Sequence, residues 1–422
     1  MRLLDPVTGT ATEATPARVR ARTDPSGIVV LWSDRADTAR FCDALAARAR
    51  DDSPAFAFVW FSPTRHEAAE IVERLGRLAP TLAFGGCSTS GEITPDGLQE
   101  HGIVALLLPR EHFRVSLSAL EEVQTLGMEA IARHALEHRV RFLDGPTCPS
   151  DGTATPLDPA PEKVFGLCLI DGLVYAEEAV MTALDRGLDG IPMIGGSAGD
   201  DLAFRRTEQI LPGRVIRRGA LLALIECRLP FRLYTDNSFV PTDHRLVVTA
   251  SDPDRRIVHE FNAEPAADAY ARAIGVDTAS LDARTFASHV LVVRIGGEHY
   301  CRSIQRLGAD GSLIFFCAID DGLVLTVARS EGMVRSSRRA IERIEAEIGP
   351  TGTLFGFDCV YRRLDARHRG ITERAETLYR DKGFVGFNTY GEQFRSMHIN
   401  QTFTGVAIGH APPSASDTDA HR

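Results

Sequence analysis

Short apolar runs alternate with amphipathic stretches along most of the chain, and this pattern predicts an α/β fold. The runs Phe56–Phe61 and Ile103–Leu108 have the length of buried strands. The stretch 65–76 has the apolar spacing of a helix and follows the first of these runs. Because a helical crossover joins neighbouring parallel strands, we expect β-α-β units with parallel strand pairs.

The strand–helix–strand order occurs three times. The three copies place their strands at Phe56–Phe61 and Thr81–Gly85, at Val164–Ile170 and Pro192–Ile194, and at Leu354–Val360 and Phe384–Gly386. The first and last copies end in the pattern G-x-x-T-x-G-E, at residues 86–92 and 386–392, and the middle copy ends in a looser glycine turn at 195–200. We therefore predict two equivalent parallel pairs related by a pseudo-twofold, with a third related unit.

Glycine turns at the carboxyl ends of strands are places where open α/β sheets bind ligands. Their backbone N–H groups and short polar side chains can hold a polar molecule. We expect the three turns to line one pocket, and the ligand-binding candidates are Gly86, Cys87, Ser88, Thr89, Glu92, Gly196, Ser197, Asp200, Asp358, Asn388, Thr389, Tyr390, Glu392 and Asn400. The structural alternative is that the glycines only permit close packing, that Asp358 caps a loop and that Cys87 is a small buried residue.

The composition of the chain predicts two domains with a flexible tail at each end. The predicted bounds are a tail at 1–24, an N-terminal domain at 25–228, a C-terminal domain at 229–409 and a second tail at 410–422. Residues 145–162 are rich in Pro, Gly and Asp and predict a long loop. A net charge of −10 argues against nucleic acid and anionic membranes as partners. No apolar stretch approaches the ~20 residues that span a bilayer.

The cysteines and the N-terminus indicate the compartment. The sequence has eight cysteines and no CxxC pair, which fits reduced thiols better than a disulfide framework and excludes covalent c-type haem. The first residues contain arginines but no apolar core of a signal peptide. We therefore expect a cytoplasmic protein.

The motifs together resemble the FIST family of sensory proteins, over residues of about 25–409. The resemblance is carried by Gly85–Glu92, Ile194–Asp201, Phe355–Cys359, Asn388–Gln393 and His398–Thr402. It implies an α/β, two-domain FIST-type architecture in which duplicated β-α-β units surround a central cleft. It also implies a small-ligand-binding sensor module that acts on a separate signalling partner, and stand-alone members of the family include haem-binding nitric-oxide sensors that regulate a histidine kinase or a cyclic-di-GMP enzyme.

Two classes of function stay open at this point. In the first, the chain is a sensor of a small ligand. A more specific hypothesis is a sensor that binds b-type haem with His398 as the axial ligand, and His259 and His299 are the alternative axial ligands. In the second, the chain is an enzyme that acts on a small molecule in the inter-domain cleft through Cys87, Asp358 or Glu392. Since the sequence has no recognised catalytic signature, we favour the sensor.

Overall fold

The computed structural model describes residues 18–144, 163–295 and 297–410. The predicted loop at 145–162 and most of the two predicted tails (residues 1–17 and 411–422) lie outside these residues. The tail predicted to end at residue 24 needs a correction, because Arg20–Thr23 form strand β1 and pair antiparallel with β2 (Val29–Ser33). This pairing covers the main-chain groups that β2 would otherwise expose at the edge of its sheet.

Three units with the same order of elements form the body of the molecule. Each unit runs strand, helix, strand, helical segment, strand, short hairpin, strand, and its last strand lies between its first and second strands in the sheet. The first unit contains β2, α1 (Thr38–Asp52), β3 (Phe56–Phe61), α2 (Ala68–Leu78), β4 (Phe84–Ser88), β5 (Glu92–Thr94), β6 (Gly97–Gln99) and β7 (Ile103–Leu108). The second contains β8 (Phe113–Leu120), α3 (Met128–Asp144), β9 (Val164–Asp171), α4 (Glu177–Leu188), β10 (Met193–Ala198), β11 (Gln209–Leu211), β12 (Arg214–Ile216) and β13 (Ala220–Cys227).

The third unit is interrupted after its first strand, β14 (Phe231–Asn237), by an inserted domain at residues 239–330. The inserted domain contains β15 (Phe239–Asp252), β16 (Ile257–Phe261), β17 (Glu264–Pro265), α5 (Ala266–Ile274), α6 (Ala283–Ser288), β18 (His289–Ile295), β19 (Glu298–Arg302), β20 (Ile304–Leu307), β21 (Leu313–Phe315) and β22 (Val324–Ser330), with 3-10 turns at Pro253–Arg255 and Thr278–Ser280. The unit resumes with α7 (Met333–Ile348), β23 (Thr351–Cys359), α8 (Val360–His368), α9 (Thr372–Lys382), β24 (Phe384–Thr389), β25 (Glu392–Phe394), β26 (Met397–Ile399) and β27 (Thr402–Gly409).

The parallel pairing expected from the strand–helix–strand pattern is confirmed in all three units. β3 pairs parallel with β4, β9 with β10, and β23 with β24. The middle copy is as complete as the other two, so the body contains three equivalent units, and a pseudo-twofold between the first and last copies leaves the middle one out. The middle copy was predicted to be looser because its turn lacks the G-x-x-T-x-G-E pattern. Its strand pairing is nevertheless the same as in the other two copies.

The short hairpins are exchanged between units in a closed cycle. Hairpin β5–β6 of the first unit pairs with β24 of the third, β25–β26 of the third pairs with β10 of the second, and β11–β12 of the second pairs with β4 of the first. Each sheet is therefore completed by strands from another unit. As a result, the two domains predicted at 25–228 and 229–409 share two of the sheets.

The three sheets enclose one hydrophobic core, and the helices cover their outer faces. Along β3, Phe56, Phe58 and Trp60 point into the shared core, where the Trp60 ring lies 5.4 Å from the Phe387 ring of the third unit. The alternate residues Ala57, Val59 and Phe61 pack under α1 and α2. Because both faces of the strand are buried, the run is apolar throughout rather than alternating. The middle of the body, where a cleft was expected, is filled by these side chains.

Three glycines that were predicted to make turns instead lie inside strands. A Cβ atom at Gly86 or at Gly386 would lie 1.7 Å from a main-chain oxygen of the neighbouring parallel strand, and one at Gly195 would lie 2.1 Å from such an oxygen. The strands therefore continue beyond the predicted ends at Gly85, Ile194 and Gly386. The glycines serve close approach of two main chains, which is the structural alternative stated above.

The inserted domain has its own sheet and its own core. Its sheet runs in the order β19-β18-β22-β15-β16-β21-β20. One side of the sheet packs with α5 and α6 around a core that includes Phe261, Tyr270, Phe286 and Phe315. The domain joins the body through two neighbouring segments, because β15 begins opposite the end of β22 at the pair Phe239 and Ser330.

Candidate functional site

The segments that follow β4, β10 and β24 meet at one place, which we call the strand-end junction (residues 88–92, 197–201 and 388–392). The Ser90 N–H donates to the Asn388 carbonyl over 3.0 Å, and the Ser197 N–H donates to the Gly391 carbonyl over 2.8 Å. The Gly199 N–H donates to the Ser88 carbonyl over 3.0 Å. The three segments meet, but they pack against one another and do not line the pocket that was expected.

Most polar side chains of the junction bond within the junction. The Ser88 hydroxyl donates to the Gly199 carbonyl (2.7 Å), and the Thr389 hydroxyl donates to the Ser197 carbonyl (2.6 Å). Asp200 accepts the Tyr390 hydroxyl and three main-chain N–H groups of residues 204–206. These candidates are buried, as is Asn388, whose amide donates to the Asp358 carbonyl. Their contacts in the described structure hold the three units together.

Glu92 and Glu392 occupy equivalent positions at the starts of two exchanged hairpins, and both are fully buried. Glu92 accepts the Thr89 hydroxyl (2.6 Å) and the Gly102 N–H (2.9 Å), while Glu392 accepts the N–H and the hydroxyl of Thr402 (3.0 and 2.8 Å). Burial raises the pKa of Glu92 to about 7 and raises the pKa of Glu392 well above its ordinary value. Both carboxyl groups therefore favour the neutral, protonated form in the folded protein.

The Glu92→Gln variant is expected to flatten the dependence of stability on pH. Since the folded-state pKa of Glu92 lies above its ordinary 4.5, its stabilising contribution is complete below pH 4.5 and is lost as the pH rises toward 7. A glutamine keeps the contacts of the neutral acid and does not ionise. Urea denaturation at about pH 4.5 and about pH 7.5 should show that the variant loses about 2–3 kcal/mol less than the wild type between the two conditions.

The control for this experiment is Glu73→Gln on the exposed face of α2. This variant should follow the wild type at both pH values. If Glu92→Gln and Glu73→Gln lose equal free energy over the pH interval, Glu92 is ionised in the folded protein and the neutral form is refuted.

Cys87 and Asp358, the remaining candidates of the enzyme alternative, also have structural contacts. Burial raises the pKa of the Cys87 thiol well above its ordinary value, so the group stays a thiol. Asp358 accepts Arg362 Nε (2.6 Å) on one oxygen and the Tyr379 hydroxyl (2.9 Å) on the other. Cys87 and Asp358 therefore form neither an activated nucleophile nor a free general base, whereas Glu392 keeps one buried oxygen, Oε1, without a hydrogen bond in the described structure.

Several buried polar atoms have no hydrogen-bond partner in the described structure, and four of them lie together on one hairpin. Gln393 and His398 are opposite each other on hairpin β25–β26, and Asn400 follows on the same face. Gln393 Oε1, His398 Nε2 and both amide atoms of Asn400 are buried and accept or donate no hydrogen bond in the described structure. We call these three residues the amide–imidazole cluster. Asn400 and His398 were candidates from the sequence, whereas Gln393 was only part of the motif Asn388–Gln393, and its cross-strand position relative to His398 places it in the cluster.

The cluster converges on Gly391. A Cβ atom at Gly391 would lie 2.2 Å from His398 Cε1 and 3.1 Å from Asn400 Nδ2. Gln393 Nε2 donates to Ser197 Oγ (2.9 Å) and lies 3.3 Å from His398 Nδ1. With the amide nitrogen donating, Nδ1 acts as the acceptor, so we assign the ring proton to Nε2. The cluster thus contains two unused donors, at His398 and Asn400, and two unused acceptors, at Asn400 and Gln393.

The inserted domain covers the cluster from one side. Cys301 of β19 forms an isolated bridge with Asn400, and the Gln401 amide donates to the Phe286 carbonyl. Burial lowers the pKa of His398, while the carboxylates Glu177 and Glu178 oppose this shift. The imidazole is therefore neutral at physiological pH.

A buried ion cluster fastens the inserted domain to α4 beside these residues. Arg256 of the inserted domain contacts Glu177 over 2.6 Å and Glu178 over 2.8 Å, and it also donates to the Phe316 carbonyl. Glu178 accepts the Ala318 N–H over 2.9 Å. Sequence analysis missed these residues, since two acids at the start of a helix are typical of any helix N-terminus and gave no signal of their partner.

The surroundings of His398 do not fit a haem. Axial ligation needs a free lone pair on a ring nitrogen and open space for a flat macrocycle in front of it. Here Nδ1 accepts a hydrogen bond from the Gln393 amide and the ring proton is assigned to Nε2, so neither nitrogen offers a free lone pair to an iron atom. The rival residues His259 and His299 lie on strands β16 and β19 of the inserted domain, and His259 is exposed.

The fold and the junction together define an α/β protein of three related units that exchange their hairpins, with one inserted domain. The model of the FIST N domain matches residues 55–264, and the model of the FIST C domain matches residues 266–395. The chain therefore belongs to the FIST family, whose domains are associated with sensing in signal transduction. The boundary between the residues matched by the FIST N model and those matched by the FIST C model lies inside the inserted domain, at β17.

The chain is also similar to an uncharacterized protein of Methanocaldococcus jannaschii. The two are 28% identical over 382 residues, which cover 81% of this chain and 71% of the relative. Among the described residues, no helix combines the length and the apolar character that a membrane span requires.

Proposed function

We propose that this chain is a sensor that binds a small polar molecule at the amide–imidazole cluster and passes the signal to a separate partner protein, and that it is not an enzyme. The observation that carries the proposal is the set of four unpartnered polar atoms in Gln393, His398 and Asn400. A buried donor or acceptor without a partner costs about 1–3 kcal/mol, so native proteins satisfy nearly all of them. A bound molecule with both donors and acceptors offsets this cost at all four atoms.

The position of the cluster gives the ligand a means of signalling. The cluster lies where hairpin β25–β26 meets the inserted domain, next to the Arg256 ion cluster. A molecule that bonds to Asn400 binds more tightly to one arrangement of the inserted domain on the body than to another. This difference in affinity shifts the population of the protein toward the arrangement that binds more tightly. The domain surface is then the element that a partner protein can read. The seven described free cysteines, all buried, support a reducing, cytoplasmic compartment.

Asn400→Leu is expected to abolish retention of the ligand. Leucine has nearly the size of asparagine but neither donates nor accepts, so affinity should fall at least tenfold. Native mass spectrometry of freshly purified protein, compared with the denatured chain, measures the mass and occupancy of a non-covalent adduct. The measured mass also distinguishes a small polar molecule from haem.

A matched control is His138→Gln, since His138 is a buried histidine whose ring nitrogens bond to Ser118 and Ser116 far from the cluster in sequence and in fold. This control should keep the adduct. Because leucine removes the desolvation cost of an unpaired buried amide, ligand-free Asn400→Leu should melt at or above the temperature of the ligand-free wild type. Wild-type protein that carries no adduct from cell extract would refute the proposal, as would equal occupancy in Asn400→Leu.

A further inference from the structure

A groove between α7 and α9 is lined by arginine side chains. It has a volume of about 500 Å³ and is bordered by Val334, Arg335, Arg338, Glu373, Arg374 and Thr377. A second recess of about 400 Å³ continues it toward Arg369 and the segment Ser330–Gly332. That segment links β22 of the inserted domain to α7. The groove lies on the outer, helical side of the third unit, away from the amide–imidazole cluster on the hairpin.

The corresponding helix pairs of the other two units are closed. In the second unit, Gly187 of α4 fits so tightly against α3 that a Cβ atom would lie 2.2 Å from the Ala132 carbonyl oxygen. In the first unit, Phe41 and Leu45 of α1 share one apolar cluster with Ile71 of α2. In the third unit, arginines of two facing helices border a groove at this position. The helix pairs of the first and second units can thus be compared directly with that of the third. The comparison indicates that the groove belongs to the third unit and does not follow from the repeated fold.

The arginines of the groove are incompletely neutralised. Arg335 contacts Glu331 over 3.3 Å, and Arg369 contacts Asp365 over 2.8 Å. Arg338 and Arg374, which lie on opposite walls, have no ion pair within the described part of the chain. Like charges that face each other across a groove repel, and a bound anion turns this repulsion into attraction. The whole chain has a net charge of −10, so this basic groove departs from its general character.

We propose that the groove binds a small molecule that carries a diphosphate group. A guanidinium group donates two parallel hydrogen bonds to a phosphate, and two arginines on opposite walls match two adjacent phosphates. The first turn of α7 adds free main-chain N–H groups, because its N-cap is Gly332 and has no side-chain cap. The volume of the groove is in the range of small-molecule sites. The recess that continues the groove is bordered by the segment Ser330–Gly332, so the site adjoins the connection to the inserted domain.

Isothermal titration calorimetry with inorganic pyrophosphate tests the proposal. The wild type should bind one pyrophosphate per chain, more tightly than inorganic phosphate or glutarate, and less tightly as the salt concentration rises. The double variant Arg338→Gln/Arg374→Gln should bind at least tenfold more weakly, since it loses the charge-assisted hydrogen bonds from both walls. These exposed substitutions leave the core intact, and circular dichroism verifies the fold.

The control is Arg133→Gln/Arg343→Gln, which removes the same charge from exposed positions of α3 and α7 outside the groove. It should bind pyrophosphate as the wild type does. No saturable binding to the wild type, or equal affinity in the two double variants, overturns the proposal, and tighter binding of glutarate overturns the choice of phosphate. Asn400→Leu should keep its affinity for pyrophosphate. A negative result for the groove is therefore distinguishable from a negative result for ligand binding at the amide–imidazole cluster.

Discussion

The Arg256→Ala variant is expected to lose about 3–5 kcal/mol of stability and to loosen the inserted domain. Arg256 is almost fully buried and neutralises Glu177, which is equally buried. Removal of the guanidinium leaves an uncompensated carboxylate in the interface, and such a charge costs far more than the ion pair contributes. Urea denaturation measures the loss, and hydrogen exchange should show faster exchange in residues 239–330 than in the body.

Two further variants make this result specific. Arg255→Ala removes the neighbouring arginine, whose side chain is 73% exposed, and should change stability by less than about 0.5 kcal/mol. Arg256→Leu combined with Glu177→Leu should recover most of the loss, because the two most buried charges leave together and Glu178 stays partly exposed with its bond from the Ala318 N–H. If Arg256→Ala and Arg255→Ala unfold at the same urea concentration, the ion cluster does not fasten the inserted domain.

The Gly86→Ala variant is expected to lose about 4 kcal/mol or more, and it should be recovered largely as insoluble protein. The added methyl would lie 1.7 Å from the Val59 carbonyl oxygen, and that oxygen belongs to a strand held on both sides in its sheet. Neither strand can move away without breaking its hydrogen bonds to the next one. Thermal and urea denaturation of any soluble fraction measures the effect.

Gly76→Ala provides the matched control with the opposite sign. Gly76 lies in helix α2, and a Cβ atom there would meet no atom within 4 Å. Alanine favours the helix over glycine by about 0.5–1 kcal/mol, so this variant should be more stable than the wild type. A soluble Gly86→Ala protein with a stability near that of the wild type would contradict the close approach of β3 and β4.

Local patterns in the sequence were sufficient for the elements of each unit. The strand Phe56–Phe61 was predicted with its observed bounds, and the parallel pairing followed from the helical connection. Both features depend on residues close together in the chain, where hydrophobic periodicity and connection length act directly. The helix α8 was missed, because its central residues Arg362 and Arg363 are charged, and their burial depends on acidic partners that include the distant residues Asp236 and Glu100.

The glycine patterns were located correctly in the sequence but assigned the wrong local structure. G-x-x-T-x-G-E predicted turns that line a pocket, whereas Gly86 and Gly386 lie within strands. A glycine can provide either a turn or close approach of two main chains, and the sequence does not distinguish the two. The neighbouring strand decides, and its position depends on the packing of the whole sheet.

The sequence by itself determined that the chain is an α/β protein with repeated β-α-β units, and its motifs placed it near the FIST family. The tertiary structure alone decided which sheet each short hairpin joins, because hairpins with three residues in each strand carry no local signal for a partner. It also brought Arg256 to Glu177, which is 79 residues away in the chain. The pairing of a hairpin with a distant sheet depends on which sheet edges are open, and the pairing of Arg256 with Glu177 depends on which charges become buried together. No short stretch of sequence contains that information.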